Sequence, residues 1–313
     1  MLIKYSFTTE SLQEIIKILK NELQKENFQE VIFEVLNPDI LPHGYAGEKV
    51  VIENQSYIYR GYKSWVELAE ILYCKIATPQ KNKEHTIILK YFKLETTSSF
   101  HRDKRGKIDD KYGVNSQFSL INKNEEPAFL EYYLRALGNV NLSKRKKILN
   151  LGINSGDEFE VIQNLCDTTE MEFVGIDFSS SAIEKAKEKF KGDNFTFYTH
   201  DINHLQELDL DKFDLIITIG TLQSSGVNFK LLFASLVQKY LAKDGAMILG
   251  FPNCRWIDGE MIYGAFAPNY NFSEMTLLFK DVYYCKKYLQ QKKFRVSISG
   301  KNYPFLSATS IQN

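Results

Sequence analysis

Residues 148–162 read ILNLGINSGDEFEVI. An apolar run closes on Gly152, a second glycine follows at 156 with Asn154 between them, and an acidic segment with apolar residues at helical spacing comes next. That order predicts a strand, a turn and a helix. The alternation continues through strand EFVGIDF, helix SAIEKAKEKF, strand FTFYTHDI, a short helical or loop segment, strand FDLIITIG, helix NFKLLFASLVQKYLA and, after the turn KDG, strand AMILGF. Strands alternating with helices predict a parallel sheet covered on both faces, joined by right-handed crossovers. The ending differs: helix DVYYCKKYLQQK leads to FRVSISG and YPFLSATS, a hairpin that adds one antiparallel strand. The expected fold class is α/β, a doubly wound, mostly parallel seven-stranded sheet with a C-terminal antiparallel hairpin strand.

Upstream the pattern is different. SLQEIIKILKNEL places Leu12, Ile15, Ile16, Leu19 and Leu23 on one helical face, with Ser11 and Glu14 at capping-box spacing. VIFEVL (31–36) and HTIILKYF (85–92) read as strands, NPDILPHGYAGEK as loop, and SWVELAEILYC as a helix with a second capping box at Ser64 and Glu67. Residues 1–95 are therefore expected to form a small N-terminal α+β domain, 96–124 a loop or lid, and 125–313 the α/β core with a leading helix that carries Pro127 in its first turn.

A chain of 313 residues is long enough for two domains. Lys plus Arg and Asp plus Glu both count 39, so the whole molecule has no bias towards nucleic acid or an anionic membrane, and any basic surface is local. The cysteines at 74, 166, 254 and 285 form no CxxC pair, which argues against a zinc site or redox motif and suits reduced thiols. MLIKYSFTTE lacks the apolar core of a signal peptide, and no apolar run approaches the roughly 20 residues of a membrane span. A cytoplasmic protein without a bound metal is expected.

In an open α/β sheet, ligands bind beyond the carboxyl ends of the strands. The residues placed there are Asn150, Gly152, Asn154, Gly156 and Asp157 after the first strand, Asp177 after the second, Asp201 and Ile202 after the third, and Ile219, Gly220 and Thr221 after the fourth. Asp177 lies 21 residues beyond Gly156, the spacing of an acid that accepts ribose hydroxyls. A dinucleotide loop needs further glycines where Asn154 and Asp157 stand, and a carboxylate there would repel a diphosphate; a P-loop would need Gly-Lys-Ser/Thr. The pocket suits a nucleoside with a positive or zwitterionic tail.

On these residues, 142–313 resembles the class I S-adenosylmethionine-dependent methyltransferases. The family's acid-x-Gly-x-Gly-x-Gly is matched by Asn150, Gly152, Asn154 and Gly156, with Asn in place of the acid and of the middle glycine. Asn tolerates a positive φ, so the turn is retained. The absent acid leaves the methionine ammonium to Asp157, to backbone carbonyls, or to weaker binding. The resemblance implies S-adenosyl-L-methionine as cofactor and S-adenosyl-L-homocysteine as product, with Asp177, Phe178 and Ser179 at the ribose, Asp201 at the adenine amine, Ile202 against the ring, and Ile219 and Gly220 as floor. The terminal hairpin matches the family's own ending.

The acceptor side is less determined. His200, His204, Tyr263 and His101 are candidates for a base, although surface or cap positions are the plainer assignment for the two histidines at 200 and 204. Cys254, in GFPNCRW, is near where some RNA methyltransferases keep a nucleophile, but its surroundings do not match and a structural thiol is expected. IGTLQ at the fourth strand's end lacks the Pro-Pro-aromatic box of enzymes that methylate base amines. RWIDGEMIYGAFAPNYNF (255–272) is either a substrate wall using Arg255, Glu260, Tyr263 and Tyr270 or a loop packed by its own aromatics. FHRDKRGK (100–107), with Arg102 and the following Tyr112 and Phe118, is either a lid or acceptor contact or a solvated loop, and SKRKK (143–147) is expected to be solvated surface at the far end of the sheet. The expected reaction is methyl transfer to O or N of a small-molecule acceptor, with the N-terminal domain serving recognition or formation of a homodimer. The alternatives are a tRNA- or rRNA-modifying enzyme and a non-catalytic nucleoside-binding scaffold.

Overall fold

The chain divides into two units, one holding a five-stranded and the other a seven-stranded sheet. The computed structural model describes residues 3–25, 29–95, 116–265 and 274–311. One unit comprises Met1–Arg102 with Trp256–Ile262, the other Asp103–Arg255 with Tyr263–Asn313.

The first unit runs β1 (Tyr5–Ser6), α1 (Leu12–Leu23), β2 (Glu30–Leu36), β3 (Lys49–Ile52), β4 (Gln55–Ile58), α2 (Tyr62–Ile71), β5 (Cys74–Ile76), β6 (Gln80–Lys81) and β7 (Thr86–Lys93). The sheet order is β1-β2-β7-β5, with β6 also on β7. Phe33 and Tyr91, fully buried on adjacent strands, meet edge to face at 5.0 Å and receive Ile15 and Leu19 from α1 and Trp65 from α2 into one core. The capping box at Ser11 and Glu14 is formed. The one expected at Ser64 and Glu67 is not: α2 begins at Tyr62, and the Ser64 amide already donates to the Gly61 carbonyl. The β3–β4 hairpin within the region after the expected loop turns on Glu53 and Asn54, both left-handed at φ 50 and 66.

The second unit runs α3 (Pro127–Asn139), β8 (Lys147–Leu151), α4 (Asp157–Leu165), β9 (Glu172–Asp177), α5 (Ser180–Lys189), β10 (Phe195–Thr199), β11 (Phe213–Ile219), α6 (Phe229–Ser235), a π-turn at Leu236–Tyr240, β12 (Leu241–Gly250), β13 (Cys254–Ile257), β14 (Glu260–Tyr263), α7 (Thr276–Gln291), β15 (Phe294–Gly300) and β16 (Pro304–Ser310). Its sheet has the order β10-β9-β8-β11-β12-β16-β15, parallel except that β16 is antiparallel to both neighbours. This is the expected seven-stranded α/β sheet. Chain order reverses on either side of β8, so the loop after β8 sits at the switch point where such sheets bind ligands.

Alternate residues of β16 serve opposite faces. Leu306 and Ala308 join the core under α6 and α7, while Phe305 packs on Phe129 and Tyr133 of α3. The stretch 143–147 departs from its expected solvated character at Arg145, which is 8% exposed and donates to the carbonyls of Val140 and Asp244. The helix expected through Ala242 ends earlier, because Leu241 already pairs with Phe213 in the sheet.

Glu22 on α1 gathers Lys4, Lys25 and the Tyr5 hydroxyl around one carboxylate. Hydrogen bonds from Lys25, Lys4 and Tyr5 hold its pKa at about 2 against an ordinary 4.5. A depressed folded-state pKa contributes stability above the unfolded value and loses it as the pH falls through the folded one. The stability difference between wild type and Glu22→Gln, followed by urea unfolding, is therefore expected to be largest near neutrality and to vanish as the pH drops from 4.5 to about 2.

Candidate functional site

The turn after β8 alternates in hand. Gly152, Asn154 and Gly156 all have positive φ, at 71, 48 and 92. Asparagine at the middle position therefore keeps the left-handed turn that its residue type permits. The two glycines are required by neighbours as well as by φ. A Cβ on Gly152 would stand 2.1 Å from Thr221 Oγ1, and one on Gly156 would stand 2.3 Å from the Phe190 ring. Thr221 in turn donates to the Leu151 carbonyl at 3.0 Å, so the ends of β8 and β11 are closed against each other.

Asp177, at the end of β9, fixes the middle of this turn. Its Oδ2 accepts the Asn154 amide and its Oδ1 the Ser179 amide, each at 2.9 Å. Ser179 is 3% exposed and caps α5, accepting from the Ala182 amide; its role is to hold Asp177's helix. Phe178 between them is 52% exposed, a large apolar face with no packing duty in the core.

Asp201, after β10, caps the turn Ile202–Glu207 through its Oδ1, which accepts from the amide and side chain of Asn203. Ile202 is buried beside it. Phe178, Thr199, His200, Asp201, His204 and Glu207 line a cavity of about 510 Å³. The two histidines proposed as bases thus gather around Asp201. His204 Nδ1 lies 3.3 Å and His200 Nε2 3.8 Å from Glu207, and His200 Nε2 is 3.0 Å from the His204 carbonyl. On the far side of the loop, Ile219 is buried, and Gly220, at φ 75, brings the backbone close to Pro252.

Beside Asn150 stands a buried acid that sequence reasoning did not single out. Asn150 is 1% exposed, and its Nδ2 reaches Oε2 of Glu158, eight residues on, at 3.4 Å. Glu158 is itself buried and forms an ion pair with Lys123 at 3.0 Å. Asp157, the expected substitute, is engaged elsewhere: its carboxylate takes the Ser155 hydroxyl and faces Lys189, and its carbonyl accepts from Asn124. The signal for Glu158 was its position on the apolar stripe of α4, one turn before Ile162.

The described part of residues 255–272 forms the β13–β14 hairpin. Arg255 and Tyr263 remain in the second unit, where the Tyr263 hydroxyl donates to the Met275 sulfur at 3.5 Å. Glu260 belongs to the first unit, paired with Lys75 at 2.9 Å, and Ile257 and Ile262 pack there on Leu94 and Tyr73. His101, Arg102, Tyr112 and Tyr270 lie outside the described residues, as does the side chain of Phe118, whose backbone is in the turn Gln117–Leu120. Cys254 is buried, and burial pushes its thiol up to about 12, which suits a structural role. Among the described residues, no group of three or more His, Cys, Asp or Glu side chains is placed to hold a metal ion.

Residues 142–293 match the family model described as a methyltransferase domain. This part of the chain is similar to a methyltransferase domain. No curated protein matches the sequence. Solved structures similar to the methyltransferase part include precorrin-6y C5,15-methyltransferase from Geobacter metallireducens GS-15, at 12% identity over 57% of this chain and 89% of that one, with a TM-score of 0.40. N-methyltransferase NodS from Bradyrhizobium japonicum WM9, solved with S-adenosyl-L-homocysteine, is 15% identical over 60% of this chain and 89% of its own, with a TM-score of 0.39. The plantazolicin methyltransferase BpumL, solved with a pentazolic substrate analogue and SAH, is 14% identical over 69% and 95%, with a TM-score of 0.45. At such identities and scores none of the three bears on this methyltransferase's acceptor.

Gly152→Ala forces a left-handed alanine, costing about 1–2 kcal/mol, and displaces Thr221 from its bond to Leu151, costing about 1 kcal/mol more. Thermal melting is expected to show a lowered Tm, and Thr221→Ala in the same chain is expected to recover only the part due to the clash.

Proposed function

We propose that the chain is an S-adenosylmethionine-dependent methyltransferase acting on oxygen or nitrogen of a small-molecule acceptor in the cytoplasm. One observation carries the cofactor: the left-handed turn at 152, 154 and 156 is pinned through the Asn154 amide to the carboxylate of Asp177 at the end of the neighbouring strand. When bound, S-adenosylmethionine supplies a sulfonium methyl that is already a strong electrophile. The chain's own task is to bind, orient and exclude water. Asp177 accepts the ribose hydroxyls, Asp201 accepts the adenine amine, Phe178 and Ile202 flank the ring, and Ile219 with Gly220 forms the floor. His200 and His204, paired with Glu207 beside Asp201, belong to the adenine end in this reading and do not serve as the base. Tyr263 stays a candidate for contact with the acceptor.

The equal counts of acidic and basic residues favour a small molecule over a polyanion. The four cysteines are free, and among the described residues no helix is long and apolar enough to cross a membrane. The N-terminal unit would serve acceptor recognition or pairing of two copies. A second reading, RNA as acceptor, rests on α7, whose outer face presents Phe279 and Tyr283 at 62% and 60% exposure beside Lys280 and Lys287. Exposed aromatics among lysines suit stacked bases and phosphates.

Titration calorimetry with S-adenosylhomocysteine tests the cofactor assignment. Wild type is expected to bind, and Asp177→Ala to bind at least about tenfold more weakly, the scale of one or two hydrogen bonds to a charged group. Heat from neither protein would sink the enzyme reading in favour of a scaffold. For the acceptor, retention of RNA that falls with salt and is lost in Lys280→Glu with Lys287→Glu would replace the small molecule by RNA. No retention at low salt is the expected outcome.

A further inference from the structure

The cofactor loop is bounded by a chain of polar groups whose direction is fixed by what each can do. Lys123 can only donate, and it donates to Glu158 Oε1 at 3.0 Å. The Glu158 carboxylate can only accept, so the end of the Asn150 amide that faces Oε2 at 3.4 Å must be the NH2. The Asn150 Oδ1 is thereby turned away from Glu158. It is an acceptor of fixed direction at the head of the 152–156 turn. The arrangement is buried, with Asn150 at 1%, Glu158 at 3% and the Lys123 side chain at 15% exposure. Apolar residues of similar volume generally serve stability as well as a buried ion pair does, so a pair retained here points to a demand for orientation. The same turn of chain is braced twice more, by Asn124 on the Asp157 carbonyl at 2.9 Å and by the Tyr133 hydroxyl on the Glu158 carbonyl at 3.3 Å.

We propose that Glu158, held by Lys123, is the positioning residue that presents Asn150 Oδ1 to the ammonium of the cofactor's amino-acid end. This rests on the S-adenosylmethionine reading above. Asn150 is the group in contact and Glu158 acts through it. An uncharged asparagine is then sufficient at the head of the loop, because the charge that fixes it is supplied eight residues later.

The test compares two ligands that share the adenosine and differ at that end: S-adenosylhomocysteine, which carries the amino acid, and 5′-methylthioadenosine, which lacks it. Binding of both is measured by calorimetry, with a thermal melt of each variant. Glu158→Gln can offer Asn150 either a donor or an acceptor and so releases the amide. It is expected to weaken S-adenosylhomocysteine by about tenfold, the scale of one charge-assisted hydrogen bond, and to leave methylthioadenosine unchanged. Adding Asn150→Asp to Glu158→Gln places a carboxylate directly at the head of the loop and is expected to restore S-adenosylhomocysteine binding. If Glu158→Gln does not fold, Lys123→Met replaces it, with the same ligand selectivity expected. Unchanged S-adenosylhomocysteine affinity, or an equal loss for both ligands with a lowered Tm, overturns the proposal while leaving the cofactor reading intact. A wild type that binds neither ligand overturns both.

Discussion

The Asp177 carboxylate is the constraint around which the methyltransferase domain is arranged. One oxygen holds the Asn154 amide of the loop after β8 and the other holds the Ser179 amide at the start of α5. A single group thus ties the switch-point turn to the neighbouring strand and to the helix that follows it. The turn needs such a tie. Of the three positions at positive φ, Gly152 and Gly156 give their amides to the backbone carbonyls of Ile176 and Ile153, and Asn154 gives its amide to Asp177. The sheet supplies the carboxylate at the right depth because β8 and β9 pair in register, Leu151 beside Ile176, one residue before Asp177.

The strands of the larger sheet follow from the sequence with little loss because the central ones are buried on both faces and read as continuous apolar runs. The departures have local causes. Ser64 and Glu67 have the spacing of a cap, but Trp65, Leu68 and Ala69 must all face the sheet, and a helix that begins at Tyr62 places them there while burying the Ser64 amide inside its first turn. The β3–β4 hairpin carries no glycine at its turn, so Glu53 and Asn54 gave no strong signal.

The strand ends were legible wherever one strand contributes one residue. Asp177, Asp201, Ile202, Ile219 and Gly220 all stand at the carboxyl edge of the sheet. Glu158 and Lys123 escaped because their roles depend on each other and on Asn150. An acid on the apolar stripe of a short helix and a lysine 35 residues earlier say nothing until the fold brings them to 3.0 Å. The histidines show the converse. His200 and His204 are conspicuous in the sequence as proton carriers, yet both are drawn to Glu207 on the side of Asp201, away from the amino-acid end at Asn150.

The division between the two units is not a single cut in the chain, and this limits how the N-terminal unit can have been added. Its packing includes Ile257 and Ile262 against Leu94 and Tyr73, and the ion pair of Glu260 with Lys75. A chain truncated after residue 95 would leave two isoleucines without their apolar partners and a carboxylate without its lysine.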